Sequence, residues 1–509
     1  QYAEWGGPPN YAAGDIVLSN TLNGPVRFRF NNASQIYSVE AVSTGTVTTL
    51  LPGYAPIYWY ERLKQQADSN EFARFNRIWM NPAQKGKSGI YSAGYDVFDP
   101  TDLGTYNQKD TVATRYGTEA QLKACVQAFS AKGIDCIADM VLNHMNGGDP
   151  YQYDYQYASK TFEKRNSGPT DTNGYFNVNY TNYPFQFDHG FGLPDGVKAW
   201  SNYPAAHSAD VNERHPYMRN GMKNNGSWLQ AKVGFRGCRF DFSQGMQPGF
   251  FAEYMNYGLM KGRFAVAEYW SENKDASARE HQTWVSLMDD RVCSFDFPLH
   301  EKLVQMCNFP STFNMEQLSY GALIHVNATR AVTFVESHDE IRPFGGDNQD
   351  KMGMMQAKEM AYAFILISDG HPCVFRQDYS DAPYADPDPK DDSLDDGWTG
   401  SPLKPFIDPL IDARRKYAGG ATTYLSTANK DRLFIAKRNG TAEKDGCILV
   451  INNHLTQTLT NTVNTGWSEG TVLVDALQTN HTVTVQGGGM APLSASNRFY
   501  RDYVRQQAL

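Results

Sequence analysis

The chain has 509 residues, of which 41% are hydrophobic and 20% charged, a globular composition too long for one core, because single hydrophobic cores stop growing at roughly 250–300 residues. Its formal net charge of −9 excludes the basic stripe that a phosphate backbone requires and so argues against a nucleic-acid partner. No run of about 18 apolar residues is available to span a membrane.

The first 44 residues are rich in strand and turn formers and form an N-terminal extension to which the sequence gives no role. From about 45 to 420, short apolar runs alternate with helical stretches. Strands are expected over 46–51, 74–80, 135–142, 237–242, 264–268, 292–297, 331–336 and 373–375, and helices over 119–132, 248–261 and 351–368, among others. Eight strands with helices between them is the arithmetic of an α/β fold of the (β/α)8 TIM-barrel type, although a doubly wound open sheet gives the same alternation. The interval 146–207, rich in Gly, Asn, Asp, Pro and Tyr, is too long for a structureless loop. It is expected to be a subdomain inserted after the third strand, dividing the barrel into 45–145 and 208–420. After Gly419-Gly420, β-branched runs at 432–436, 446–451, 470–474 and 481–485 predict an antiparallel β-sandwich over 421–495. The tail, 496–509, reads as a short helix.

Seven cysteines without a paired CxxC spacing signal neither a zinc site nor a disulfide scaffold. Cys136, Cys238 and Cys373 lie in apolar, strand-like runs and read as buried thiols, while a Cys293–Cys307 pair stays open. The chain opens at Gln1 rather than Met, from which a removed signal and secretion are expected.

Four segments place polar residues at the C-terminal ends of expected strands, where barrel enzymes build their sites. They are Asp139-Met140-Val141-Leu142-Asn143-His144, Gly237-Cys238-Arg239-Phe240-Asp241, Ala265-Val266-Ala267-Glu268, and Phe334-Val335-Glu336-Ser337-His338-Asp339. A charged residue ending one strand is usually a solvated loop residue. Four such segments, at the third, fourth, fifth and seventh strands of the count, are hard to attribute to chance. Arg239 and Asp241 are two apart, so on a strand they share a face, and a guanidinium beside a carboxylate is expected to keep it ionised. Glu268 follows an apolar run, where desolvation favours a proton donor. A carboxyl pair of unlike protonation is the equipment for cleaving a glycosidic bond, and the 13% aromatic content suits stacking of sugar rings as well as aromatic cores. Asp339 adds negative charge where a cationic transition state develops, and His338 can hydrogen-bond sugar hydroxyls.

These four segments resemble, in residue type, spacing and order, the four short conserved regions of the α-amylase family of glycoside hydrolases, and the likeness runs from about Thr48 to Tyr417. Tyr95-Asp96, Asp102-Leu103-Gly104, Gly117-Thr118, Glu268-Tyr269-Trp270 and Ala361-Tyr362-Ala363-Phe364-Ile365-Leu366 resemble liquefying-type bacterial members. The stretch 237–245 and Phe295-Asp296-Phe297 are similar to malto-oligosaccharide-forming members. The resemblance implies Asp241 as nucleophile, Glu268 as general acid/base and Asp339 as transition-state stabiliser. It implies Tyr95, His144, Arg239 and His338 as residues lining the non-reducing side of the cut, with Asp139 holding Arg239. It further implies a structural calcium on Asn143, Asp210 and the backbone carbonyl of Gly245, oxygen donors that suit a hard cation. Without the resemblance Asn143 reads as a turn residue and Asp210 as a helix cap. Asn212 and Arg214, where liquefying members carry further acidic residues, argue against a second metal cluster. Gln244-Gly245 replaces a Lys-His pair, so contacts to the leaving group are expected to differ. The expected activity is retaining endo-hydrolysis of α-1,4-glucan (starch, glycogen, malto-oligosaccharides) by a monomer. The rivals are a malto-oligosaccharide-forming or transglycosylating enzyme and a non-catalytic glucan-binding protein.

Overall fold

The computed structural model describes residues 58–109, 111–146, 216–270, 278–339, 353–381, 400–477 and 480–506, together with the backbone of short strands at Val26–Asn31, Ile36–Ala41, Tyr153–Tyr155, Phe162–Lys164, Phe185–Gln186, Ser208–Val211, Tyr384–Ala385 and Trp398–Thr399. The chain falls into two compact units, residues 1–57 and 58–509. In the first, Val26–Asn31 and Ile36–Ala41 form an antiparallel hairpin. The strand expected at 46–51 lies outside the described residues.

In the second unit, Arg77–Trp79, Asp135–Met140, Gly237–Phe240, Phe264–Ala267, Cys293–Phe295, Ala331–Phe334 and His371–Cys373 form one seven-stranded sheet, each strand hydrogen-bonded to the next in the chain. All of these pairings are parallel. A doubly wound sheet must reverse its strand order at a switch point. Here the order never reverses, so the sheet curls in one direction, and the fold is the TIM barrel expected from the sequence. The helix Glu119–Ala131 shows how the covering layer is specified. Thr118 and Gln121 form a reciprocal capping box at its start, and Leu122, Cys125, Val126 and Phe129, spaced three and four apart, are its buried face. Two expected helices are shorter than the apolar pattern suggests. The one at 248–261 stops at Met255 and resumes as a single 3-10 turn, Gly258–Met260. Among the described residues of the one at 351–368, the helix is Lys358–Ile367, after Ala357 turns left-handed at φ 55°.

The interval after the third expected strand contributes strands rather than barrel helices: Phe185–Gln186, Ser208–Val211 and His144–Asn146 form a small antiparallel sheet. The C-terminal strands lie where expected, in a six-stranded antiparallel sheet with a two-stranded companion, Leu459–Asn464 paired with Met490–Ala495. The tail is a correction. Residues Phe499–Arg505 are a strand, inserted between Cys447–Asn452 and Val472–Asp475. Aromatic and β-branched residues (Phe499, Tyr500, Tyr503, Val504) favour a pleated, half-buried surface, and this strand completes the sheet instead of trailing as a helix. All seven cysteines are free thiols, six of them buried, so Cys293 and Cys307 do not pair.

One buried cation shapes the loop that reaches the cleft. Lys85 is fully buried, and its ammonium donates to the carbonyl oxygens of Thr111 (2.9 Å) and Val112 (2.7 Å), with Asp102 at 3.5 Å. Carbonyl dipoles and a carboxylate around one ammonium fasten the base of the segment that carries Tyr95.

Candidate active site

The strand pairing decides which side chains meet. Arg239 is in register with Asp139 on one side and Val266 on the other, so its guanidinium projects level with the strand ends that carry Asp139 and Glu268. It is almost wholly buried, and three carboxylates share it. Nη1 donates to Asp139 Oδ1 at 2.9 Å and to Asp241 Oδ1 at 2.8 Å, and Nη2 donates to Glu268 Oε2 at 2.6 Å. The chain turns sharply past Asp241. Phe242 adopts φ 42°, ψ 52°, a left-handed conformation that costs a bulky residue of order 1–3 kcal/mol. That turn aims the Phe242 N–H at Glu268 Oε2, 3.1 Å away. Ser243 then fixes the same strand end, its N–H and hydroxyl both donating to the Glu268 carbonyl.

Around this cluster the remaining expected residues form a wall. Asp139 Oδ2 accepts from Tyr95 OH at 2.9 Å and from Trp79 Nε1 at 3.0 Å, so the carboxylate that props Arg239 is itself held by two aromatic donors. Arg239 lies over the Trp79 ring at 4.7 Å. His338 stacks on Tyr95, centroids 5.4 Å apart and 3° from parallel. Asp339 Oδ2 is 3.4 Å from His338 Nε2 and stands at the half-exposed mouth, lining the same cavity as Arg239 and Glu268. His144 is bound through Nε2 to the Tyr95 carbonyl at 2.8 Å. Burial pushes its imidazole below the usual range, the carbonyl contact offsetting part of that, so it is neutral and Nε2 carries the proton.

The electrostatics correct one expectation. Arg239 was expected to hold Asp241 ionised, but burial pushes the Asp241 carboxyl well above the ordinary carboxylate range. Arg239 pulls it back, and Glu268 and Asp139 add to the rise. The charge count gives the reason: one guanidinium faces three carboxylates, so full ionisation would leave a buried net charge of −2. That crowding of negative charge is what drives the buried Asp241 carboxyl toward its protonated form.

Of the three expected metal ligands, Asn143 and Gly245 lie against each other, and the backbone of Asp210 is on the strand paired with His144–Asn146. Asn143 is buried, and its Oδ1 has no hydrogen-bond partner. It points at Gly245, where an added Cβ would sit 2.2 Å from it. The backbone of Asp210 pairs directly with His144, next to Asn143. An orphaned amide oxygen, a glycine pressed against it and an aspartate on the adjoining strand fit an oxygen-liganded cation.

One buried ion-pair cluster had no place in the sequence reading. Lys358 Nζ pairs with Asp378 Oδ1 at 2.8 Å and Glu336 Oε2 at 3.1 Å, all three buried. The available signal was a lone lysine at the head of a helix whose positions from Met360 to Ile367 are all buried. The eighth expected strand is followed by Arg376-Gln377-Asp378. These residues open a short helix, Arg376–Ser380, that delivers Asp378 to Lys358 and to Tyr362 OH at 2.6 Å.

No family model matches the chain. Among proteins of known function, it is 29% identical over 457 residues to an α-amylase of Geobacillus stearothermophilus, a match covering 82% of this chain and 78% of that protein. It is 28% identical to a glucan 1,4-α-maltohexaosidase of Bacillus sp. (strain 707), covering 77% and 80%, and 27% identical to the cytoplasmic α-amylase of Escherichia coli (strain K12), covering 78% and 85%. Among solved structures, an α-amylase of Geobacillus thermoleovorans complexed with acarbose superposes with a TM-score of 0.59 at 16% identity, covering 88% of this chain and 91% of that one.

Proposed function

We propose that the chain is a member of the α-amylase family of glycoside hydrolases, to which its relatives belong, and that it hydrolyses internal α-1,4-glucosidic bonds of starch, glycogen and malto-oligosaccharides with retention of configuration. Asp241 is the nucleophile, Glu268 the general acid/base and Asp339 the stabiliser of the cationic transition state. The observation that carries this reading is the shared guanidinium. Carboxyl oxygens of Asp241 and Glu268 each lie within one hydrogen bond of the same Arg239 side chain. That closeness suits the separation of about 5–5.5 Å at which the second carboxylate attacks directly, rather than the roughly 6.5–9.5 Å gap that admits a water in inverting enzymes.

Proton placement follows. In the reactive form Glu268 carries the proton and Asp241, beside Arg239, is the anion. Glu268 gives the proton to the glycosidic oxygen as Asp241 bonds to the anomeric carbon. Water then enters, Glu268 takes its proton back, and the glycosyl-enzyme bond breaks. Arg239 keeps its contacts to both carboxylates as the negative charge passes between them, and Asp339, outside the guanidinium cluster, faces the sugar ring where positive charge develops. The stacked Tyr95–His338 wall offers an aromatic face for that ring.

The test is a time course of soluble-starch digestion followed by chromatography. Endo-cleavage gives a broad early mixture of oligosaccharides. A single dominant oligosaccharide from the start would overturn the endo reading in favour of the oligosaccharide-forming activity for which one relative is named.

Asn143, Asp210 and the Gly245 carbonyl are proposed to hold a structural calcium, whose chemical contribution is to join the barrel to the strand pair His144–Asn146 and Ser208–Val211. Because a cation bound only by the folded chain stabilises it by mass action, excess chelator is expected to lower the melting temperature by several degrees, and added calcium to restore it. An unchanged melting curve contradicts the site.

A further inference from the structure

We propose that Glu336 is a positioning residue of the cleft, the ionisable end of a buried Glu336–Lys358–Asp378 triad whose net charge sets how readily the catalytic pair gives up its proton. The inference rests on the assignment of Glu268 as the acid.

Glu336 lies just past the Ala331–Phe334 strand, three residues before Asp339, and lines the same cavity as Arg239, Glu268, His338 and Asp339. It is only 4% exposed. Its two oxygens have different surroundings. Oε2 accepts from Lys358 Nζ at 3.1 Å and from the Met354 N–H at 3.2 Å, whereas Oε1 is buried with no hydrogen-bond partner. Lys358 is shared with Asp378, which also accepts from Tyr362 OH. His300, from the helix Phe297–Asn308, is the other titratable group that acts on Glu336. One ammonium therefore faces two carboxylates, and full ionisation leaves the triad at −1 in a water-poor interior beside the catalytic cluster.

Burial pushes the Glu336 carboxyl up to about 7; Lys358 pulls it down, Asp378 pushes it up and His300 pulls it down. The triad is then neutral below that pH and −1 above it. A negative charge lining the same cavity as the acid disfavours the acid's ionisation, so the alkaline limb of the pH profile is expected at higher pH than with a neutral triad. A merely structural role, such as tying the chain after the strand to Met354, would change the height of a pH profile but not the position of its limb.

The experiment compares the pH dependence of kcat/KM on a soluble malto-oligosaccharide for the wild type and Glu336→Gln, whose amide oxygen can keep the contacts to Lys358 and Met354. The alkaline limb is expected to move to lower pH by about half a unit or more. Superimposable limbs differing only in height would overturn the proposal. Should Glu336→Gln fail to fold, Lys358→Met gives the converse reading. Loss of the positive charge is expected to move the alkaline limb to higher pH, and an unmoved limb again overturns the proposal. A wild type that hydrolyses α-1,4-glucan while the variants' limbs stay fixed defeats this inference alone. A wild type without hydrolysis defeats the assignment of the catalytic pair and this inference with it.

Discussion

Replacing Arg239 with methionine is expected to destabilise the protein by about 3–5 kcal/mol, the usual cost of removing one partner of a buried ion pair and leaving the others uncompensated. The effect should fall at the upper end, because Arg239 serves three carboxylates rather than one, each at 2.9 Å or less. Methionine fills comparable space against Trp79 and Tyr95, so lost packing contributes little. What remains is a cluster of Asp139, Asp241 and Glu268 with no cation. The sign of its pH dependence is distinctive. Carboxyl groups raised in the folded state stabilise it when protonated and cost stability as they ionise, so the variant should be least impaired at acidic pH and progressively worse toward neutrality. Urea unfolding at two pH values measures this, and equal losses at both would contradict the charge argument. Arg239→Lys is expected to recover only part of the loss. A single ammonium cannot reproduce the planar fork that spans Asp139, Asp241 and Glu268.

Glu268→Gln carries the second large effect. The amide oxygen can still accept from Arg239 Nη2 and the Phe242 N–H, so fold and glucan binding should survive, but there is no proton to give the leaving oxygen. Hydrolysis of malto-oligosaccharides should fall by about 10²–10⁴-fold or more, the range for loss of general acid–base catalysis. A malto-oligosaccharyl fluoride, whose leaving group needs no protonation, should show a much smaller loss in its first step. Equal losses on both substrates would remove Glu268 from the acid role and assign it to binding or structure.

Much of this site was legible in the sequence because its chemistry is concentrated at strand ends. Register makes Arg239 a neighbour of Asp139 and a two-residue spacing makes it a neighbour of Asp241, and both facts follow from strand geometry once the barrel is assumed. The barrel itself was only one of two readings of the alternation. The unreversed strand order separates them, and order is a tertiary fact that no local pattern encodes. The ionisation of Asp241 was misread because pairwise reasoning credited Arg239 to one carboxylate, whereas the fold delivers three to the same guanidinium. The pairing of Lys358 with Asp378 escaped notice for a related reason. They lie 20 residues apart on different elements, each looks like an ordinary charged residue, and only burial makes them a pair. The tail strand Phe499–Arg505 was missed because its partners are dozens of residues upstream. Its alternation is interrupted, with Tyr500, Asp502, Tyr503 and Val504 all buried, which hides the period-two pattern.

The central claim is that Asp241 and Glu268 act as a closely spaced retaining pair on α-1,4-glucan. Proton NMR of the anomeric region during the first minutes of malto-oligosaccharide hydrolysis tests it most directly. The α-anomer of the new reducing end is expected to appear first and to mutarotate afterwards to the equilibrium mixture. First appearance of the β-anomer would contradict it, placing a water between the two carboxylates and removing Asp241 from the role of nucleophile.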